Sequence, residues 1–215
     1  MKTNKIILFI VILLMLLLTI FVIIKKHQYN TIINIANANA NKRDSKNFYY
    51  EVNNKVDNST FKIWVKESNI KHQVFINKNL IQTQYVDLAN KFTYSVSEEN
   101  HTYILHSNKI LLQPVFINAP NILDITFGII NSSFTDKILF AISIKSITSE
   151  TLNNQNTIKV IYKLDNTLET TWFDSTTLYP IKSEFNSNIN TYNLTDCNLS
   201  DEDITFTNIK EYNKL

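Results

Sequence analysis

Residues 60–86 read TFKIWVKESNIKHQVFINKNLIQTQYV. At the start of this stretch Phe61, Ile63 and Val65 alternate with Lys62, Trp64 and Lys66. A period of two places successive side chains on opposite faces of an extended chain, so Thr60–Lys66 is a strand with one apolar face. Val74 and Ile76 repeat the pattern against Gln73 and Phe75, and Leu80–Val86 follows. Glu67-Ser68-Asn69 and Asn77-Lys78-Asn79 form the links. Such short links reverse the chain, because parallel strands need a crossover of about a dozen residues or more. The stretch is the centre of an antiparallel meander.

The pattern runs outward from there. Upstream it starts at Phe48. Downstream, Leu88-Ala89-Asn90 leads to Lys91–Val96, and Glu98-Glu99-Asn100 leads to Thr102–His106. Residues 110–140 break it with Pro114, Pro120 and the apolar clusters Ile122-Leu123, Phe127 and Ile129-Ile130, which predict one or two short helices. Alternation resumes at Ile158, Val160, Tyr162 and Leu164, then in Thr167–Asp174, Ile181–Ser187 and Thr191–Leu194. Residues 174–180 read as a turn between two of these strands. Nine or ten strands with a helical insert make an α+β domain.

A different segment precedes the sheet. Ile6–Ile24 has one polar residue, Thr19. Nineteen helical residues span roughly 28 Å, about the hydrocarbon core of a bilayer. A cleaved signal peptide has a shorter apolar core and a small-residue site directly after it. Here Lys25-Lys26-His27 stands in that place, and the Ala-x-Ala pattern of residues 36–40 lies further on. An uncleaved single-pass anchor is therefore expected at residues 6–24. Residues 1–5 are read as a short cytoplasmic tail, and residues 25–46 as a juxtamembrane helix or linker. An extracytoplasmic domain is expected over residues 47–215, which puts the protein in a cell membrane.

Composition removes several functions. The chain of 215 residues has one Gly, one Cys and one Arg. Phosphate-cradling loops need several glycines, so Walker and dinucleotide-binding turns are excluded. One Cys excludes internal disulfides and Cys-rich zinc modules. Asn, Ile and Lys number 30, 31 and 20, an alphabet of AT-rich codons. Of the 21 basic residues four lie at or before Lys26, leaving 17 against 19 acidic ones, which is no footprint for nucleic acid.

Three stretches resemble the LolA/LolB-type lipoprotein-carrier family. They are Phe48–Val52 leading to Phe61–Lys66, Trp172-Phe173-Asp174 leading to Leu178-Tyr179-Pro180, and Ser200–Ile204. The Trp172–Pro180 stretch is similar to a family strand-turn-strand that carries Gly before Leu-Pro, where this chain has Thr177. The resemblance implies a strongly curved antiparallel half-barrel lidded by the inserted helices. It also implies noncovalent binding of a lipid or lipidated protein. The anchor and the alphabet suit a membrane-bound Gram-positive relative rather than a soluble carrier. The alternative reading is an envelope interaction protein that docks a partner, such as a cell-wall amidase, or a second copy of itself, with no lipid.

No residue pattern calls for catalysis, a cofactor or a metal. His101 and His106 flank one strand and point to opposite faces. Asp201-Glu202-Asp203 lacks the spacing and Gly of a calcium loop. Cys197 has no His near it in sequence, and no Ser sits in a glycine-flanked nucleophile turn. A nonenzymatic role is expected. The inward apolar set that would line a cleft is Phe61, Ile63, Val65, Val74, Ile76, Phe92, Tyr94, Val160, Tyr162 and Trp172.

Overall fold

The computed structural model describes residues 2–107, 119–130, 132–164, 166–207 and 209–215. Helix α1 runs without a break from Lys2 to Asp44. Residues Ile6–Ile24 are exposed, and the helix is long and apolar enough to cross a membrane. In its second half Ile32, Ile35, Ala36 and Asn39 are all buried. Their spacing of three and four residues draws one stripe along a helix. This half of α1 is thus part of the core rather than a linker. Asn39 fixes its far end by donating to the carbonyls of Ile35 at 2.8 Å and Leu178 at 2.9 Å.

The sheet is one curved layer built from two meanders. The first contains β1 (Asn47–Asn54), β2 (Ser59–Lys66), β3 (Asn69–Ile76), β4 (Asn79–Asp87), β5 (Phe92–Ser97) and β6 (Thr102–Ser107). Two short helices follow, α2 (Asn121–Ile129) and α3 (Phe134–Ser143). Residues 110–118 of the expected helical region lie outside the described residues. The second meander contains β7 (Ile144–Leu152), β8 (Gln155–Leu164), β9 (Thr167–Asp174), β10 (Pro180–Phe185) and β11 (Asn188–Thr195). A short helix α4 (Asp201–Ile204) and the strand β12 (Asn213–Lys214), parallel to β6, close the chain. Pairing of β1 with β11 joins the two meanders, in the order β12-β6-β5-β4-β3-β2-β1-β11-β10-β9-β8-β7. The fold is α+β, as the patterning predicts. Strands β7 and β12 are not among the segments that alternation marks.

One face of the sheet packs against the helices and is termed the inner face. Ile32 and Ile35 of α1, Ile122 and Leu123 of α2 and Phe140 of α3 share a core with Ile144, Val160, Tyr162 and Phe173. A second core joins Phe48, Tyr50 and Val52 to Ile63, Val65, Ile70, Val86, Tyr192 and Leu194. On the outer face, Phe206 from the C-terminal segment lies among the rings of Tyr85, Tyr94, Tyr103 and Tyr212. Lys66 binds Asp201 at 2.8 Å and helps hold that segment down. Ser200 caps α4 by accepting from the Asp203 amide, so the acidic run is a capped helical turn.

The turns are made without glycine. Eleven non-glycine residues have positive φ among the described residues, including Asn77-Lys78 (51° and 68°) and Asn153-Asn154 (52° and 64°). Two consecutive positive φ values give the hairpin turn whose twist matches that of the strands. In the Trp172–Pro180 turn the left-handed residue is Leu178, at φ 62°, and its side chain packs on the core.

Candidate functional site

Cross-strand register sorts the ten predicted inward residues. Val52 pairs with Phe61, Tyr50 with Ile63 and Phe48 with Val65. Phe61 then pairs with Val74, and Ser59 with Ile76. Paired residues share a face, so these five lie with Phe48 and Tyr50 on the inner face. Val160 and Tyr162 join them in the core beneath α1. The other three do not. Val86 of the inner core pairs with Thr93, which puts the neighbours Phe92 and Tyr94 on the outer face, where Tyr94 meets Phe206. Trp172 sits between the inner residues Thr171 and Phe173 and so points outward. Its ring lies under the amino groups of Lys159 and Lys182, at 5.1 and 4.8 Å, and its indole N–H donates to Glu150.

The placement of these three is a correction with a simple cause. Large aromatic rings on a strand are no guide to face when lysine stems and a C-terminal strap cover the opposite side. Of the remaining seven, Ile63, Val65, Val160 and Tyr162 are at most 3% exposed. They are filled core. Phe61 and Val74 are half-buried, and Ile76 is exposed.

An open cleft does exist on the inner face, and it is polar. It has a volume of about 380 Å³ and lies between the mouth of the sheet and the start of α2. Asn54, Asn188, Asn190 and Ser183 line its sheet side, Asn121 its helix side, and Phe61 and Phe185 flank it. Glu169 forms part of its floor and is 1% exposed. Its carboxylate accepts from Asn121 Nδ2 at 2.6 Å, from the Tyr162 hydroxyl at 2.8 Å and from Thr171 Oγ1 at 3.1 Å. Burial raises its pKa above the ordinary carboxylate value, and the three donors oppose that rise. Tyr162 is pushed well above the usual phenol range, first by burial and then by the neighbouring carboxylate. Ser183 and the Tyr192 hydroxyl share a hydrogen bond of 2.7 Å, and burial pushes Tyr192 up to about 12. Oδ1 of Asn190 is buried with no partner among the described residues. It is an unsatisfied acceptor beside the cleft.

Glu169 is legible in the sequence in one respect. It is in phase with Thr171 and Phe173, so an acidic residue falls on the inward row of β9. Asn121, Asn188 and Asn190 carry no such mark, because Asn is abundant throughout the chain.

A second cavity, of about 400 Å³, is apolar and lies outside the sheet. Phe21, Val22, Lys25, Lys26 and Tyr29 of α1 form one wall, and Phe134, Ile138 and Ile142 of α3 the other. Among the described residues no cluster of three or more His, Cys, Asp and Glu could hold a metal.

No protein-family model matches the sequence, and no curated protein matches it. Among solved structures the chain is similar to MucB in the crystal structure of its complex with MucA(peri). The identity is 10% and the TM-score 0.43, covering 81% of this chain and 59% of that one. A structure of PNGF-II in space group C2 gives 9% identity and a TM-score of 0.30, covering 78% of this chain and 30% of that one. The chain therefore spans less than two thirds of either structure. The chemistry of the cleft has to be read from its own residues.

Proposed function

We propose that this chain is a membrane-anchored extracytoplasmic binding protein whose polar cleft takes a peptide-like segment of a protein partner, with no covalent step. The lining of the cleft carries this reading. Four amides, a hydroxyl, the exposed carboxylate of Asp57 and the buried carboxylate of Glu169 converge there between Phe61 and Phe185. Side-chain amides both donate and accept, which is what a peptide backbone needs of its surroundings. The flanking rings supply apolar surface for side chains of the segment.

The alternative of a held acyl chain gains about 0.8 kcal/mol per CH₂ only where apolar surface is free to cover it. On the inner face that surface is already used, since Ile63, Val65, Val160 and Tyr162 are core. Docking of an envelope protein is therefore favoured over enclosure of a lipid. The exposed apolar helix Ile6–Ile24 supports the anchor. A LolA-like lineage agrees with the curved sheet and the two mid-chain helices.

The test is a photo-crosslinking amino acid at Phe185 in the full-length protein, expressed in its own cells. One discrete protein adduct is expected. It should disappear when Asn188→Lys fills the mouth of the cleft, and it should be missing with the crosslinker at Leu168, exposed on the outer face. A lipid adduct at Phe185 would restore the acyl reading. A protein adduct that survives Asn188→Lys would sink the assignment of the cleft.

A further inference from the structure

Helix α3 carries more exposed apolar surface than its size explains. Phe134 is 78% exposed and Leu139 61%, and Ile138 and Ile142 are also exposed. A contiguous apolar patch of this kind on one short helix marks a contact site. Its position says what the contact is. The groove between α3 and α1 is walled by Phe21 to Tyr29, and the apolar run of α1 ends at Ile24. The patch therefore sits at the level where an anchor helix would leave the hydrocarbon.

That level is held firmly. Helix α1 is unbroken from the anchor into the domain core, so no linker lets the domain swing away. Lys25 donates to the carbonyl of Ile144 just after α3, and to Gln28 Oε1 at 3.0 Å. Tyr29 meets Phe140 edge-on with ring centroids 6.3 Å apart. Lysines flank the patch: Lys26 and Lys145 are exposed, and Lys137 is half-buried beside them on α3. The acid on α3, Asp136, is turned into the helix start, where its carboxylate accepts from Ser133 at 2.7 Å.

We propose that α3 is a second membrane contact, lying in the interface of an anionic bilayer beside the anchor. Phe134, Ile138, Leu139 and Ile142 enter the boundary of the acyl chains, and Lys26, Lys137 and Lys145 meet the headgroups. This is the arrangement of an interfacial amphipathic helix, with apolar side chains inward and cations at the headgroup level. It rests on the reading of Ile6–Ile24 as an anchor. Its consequence is orientation: the anchor and α3 together would fix which way the cleft faces.

The test uses the full-length chain with Cys197→Ser, reconstituted in vesicles of three parts phosphatidylcholine to one part phosphatidylglycerol. Single cysteines at Met15, Leu139 and Leu168 carry an environment-sensitive fluorophore. Lipids brominated near the headgroup end of the acyl chain should quench the Leu139 label. Aqueous iodide should quench it at least fivefold less than the Leu168 label. In phosphatidylcholine alone the protection at Leu139 should fall; no change would remove the anionic surface from the proposal. A Leu139 label as open to iodide as Leu168, with Met15 shielded, would overturn the contact and leave the anchor standing. A Met15 label open to iodide would overturn both.

Discussion

Tyr162 and Glu169 face each other across the β8–β9 ladder, and the phenol donates to the carboxylate at 2.8 Å beneath a core that excludes solvent. The pair links the apolar core to the polar cleft, since the same carboxylate also accepts from Asn121 at the cleft wall. A buried carboxylate whose donors are neutral keeps its proton more tightly than one in water.

That tightness has a sign. The folded-state pKa of Glu169 is raised above the ordinary 4.5. Its contribution to stability is full below the unfolded value and is lost as pH climbs through the raised folded value. Glu169→Gln keeps an acceptor for Asn121 and Tyr162, and its amide can donate to Thr171. Thermal unfolding should show Glu169→Gln gaining on the parent protein as pH rises from about 4.5 towards neutrality. A difference that stays constant across that range would refute it. Glu169→Leu leaves three donors without their acceptor and should cost about 2–4 kcal/mol near pH 4.5, a cost that narrows as pH rises by the same linkage.

Phe206 is the centre of the outer aromatic group, 5.3 Å from Tyr94 and 5.4 Å from Tyr212 between ring centroids. It is half-buried, so Phe206→Ala should cost about 2 kcal/mol, below the range for a fully buried ring. Loss should be local first. The amides of Asn213 and Leu215, which donate to His101 and Tyr103 at 2.9 and 3.0 Å, should exchange with deuterium faster. Unchanged exchange there would mean that β12 is held independently of Phe206.

The alternation of residues 60–76 determines the start of the first meander because side chains there fall on a period of two, which holds until a bulge in the β3–β4 pairing. Strand β7 (Ile144–Leu152) escapes such a reading for a physical reason. Its burial follows no alternation, it lies at the sheet edge, and a bulge between Ile144 and Ser146 breaks the phase. The face of Trp172 is not legible either, because an outward Trp can be buried by Lys159 and Lys182 as well as by a core. The cleft is hidden in the sequence apart from Glu169. Its amides come from α2, β1 and β11, far apart in sequence and alike in a chain full of Asn.

Glycine is placed where it is least needed. Gly128 lies inside α2, and a Cβ there would meet nothing within 4 Å. Gly128→Ala should stabilise the protein by about 0.5–1 kcal/mol, as Ala loses less backbone freedom in a helix. Lys78, at φ 68° in the β3–β4 turn, is the converse case. Lys78→Gly should raise the urea midpoint by relieving the left-handed strain of a side chain, worth about 0.5–1 kcal/mol after the entropy of Gly is set against it. A lower midpoint would show that the Lys78 side chain contributes more than the strain removes.

Trp172 separates fold from function. Its ring is stacked under two lysines on the face away from the cleft, yet it is 6% exposed and so contributes to stability. Trp172→Ala should cost about 3 kcal/mol by exposing the stems of Lys159 and Lys182 and leaving Glu150 without its indole donor. Crosslinking from Phe185 should survive at temperatures where the variant remains folded. Asn188→Lys should do the reverse, with the melting temperature kept and the crosslink lost. If Trp172→Ala abolished the crosslink in a protein that is still folded, the outer face would belong to the binding surface, and the polar cleft would not suffice as the site.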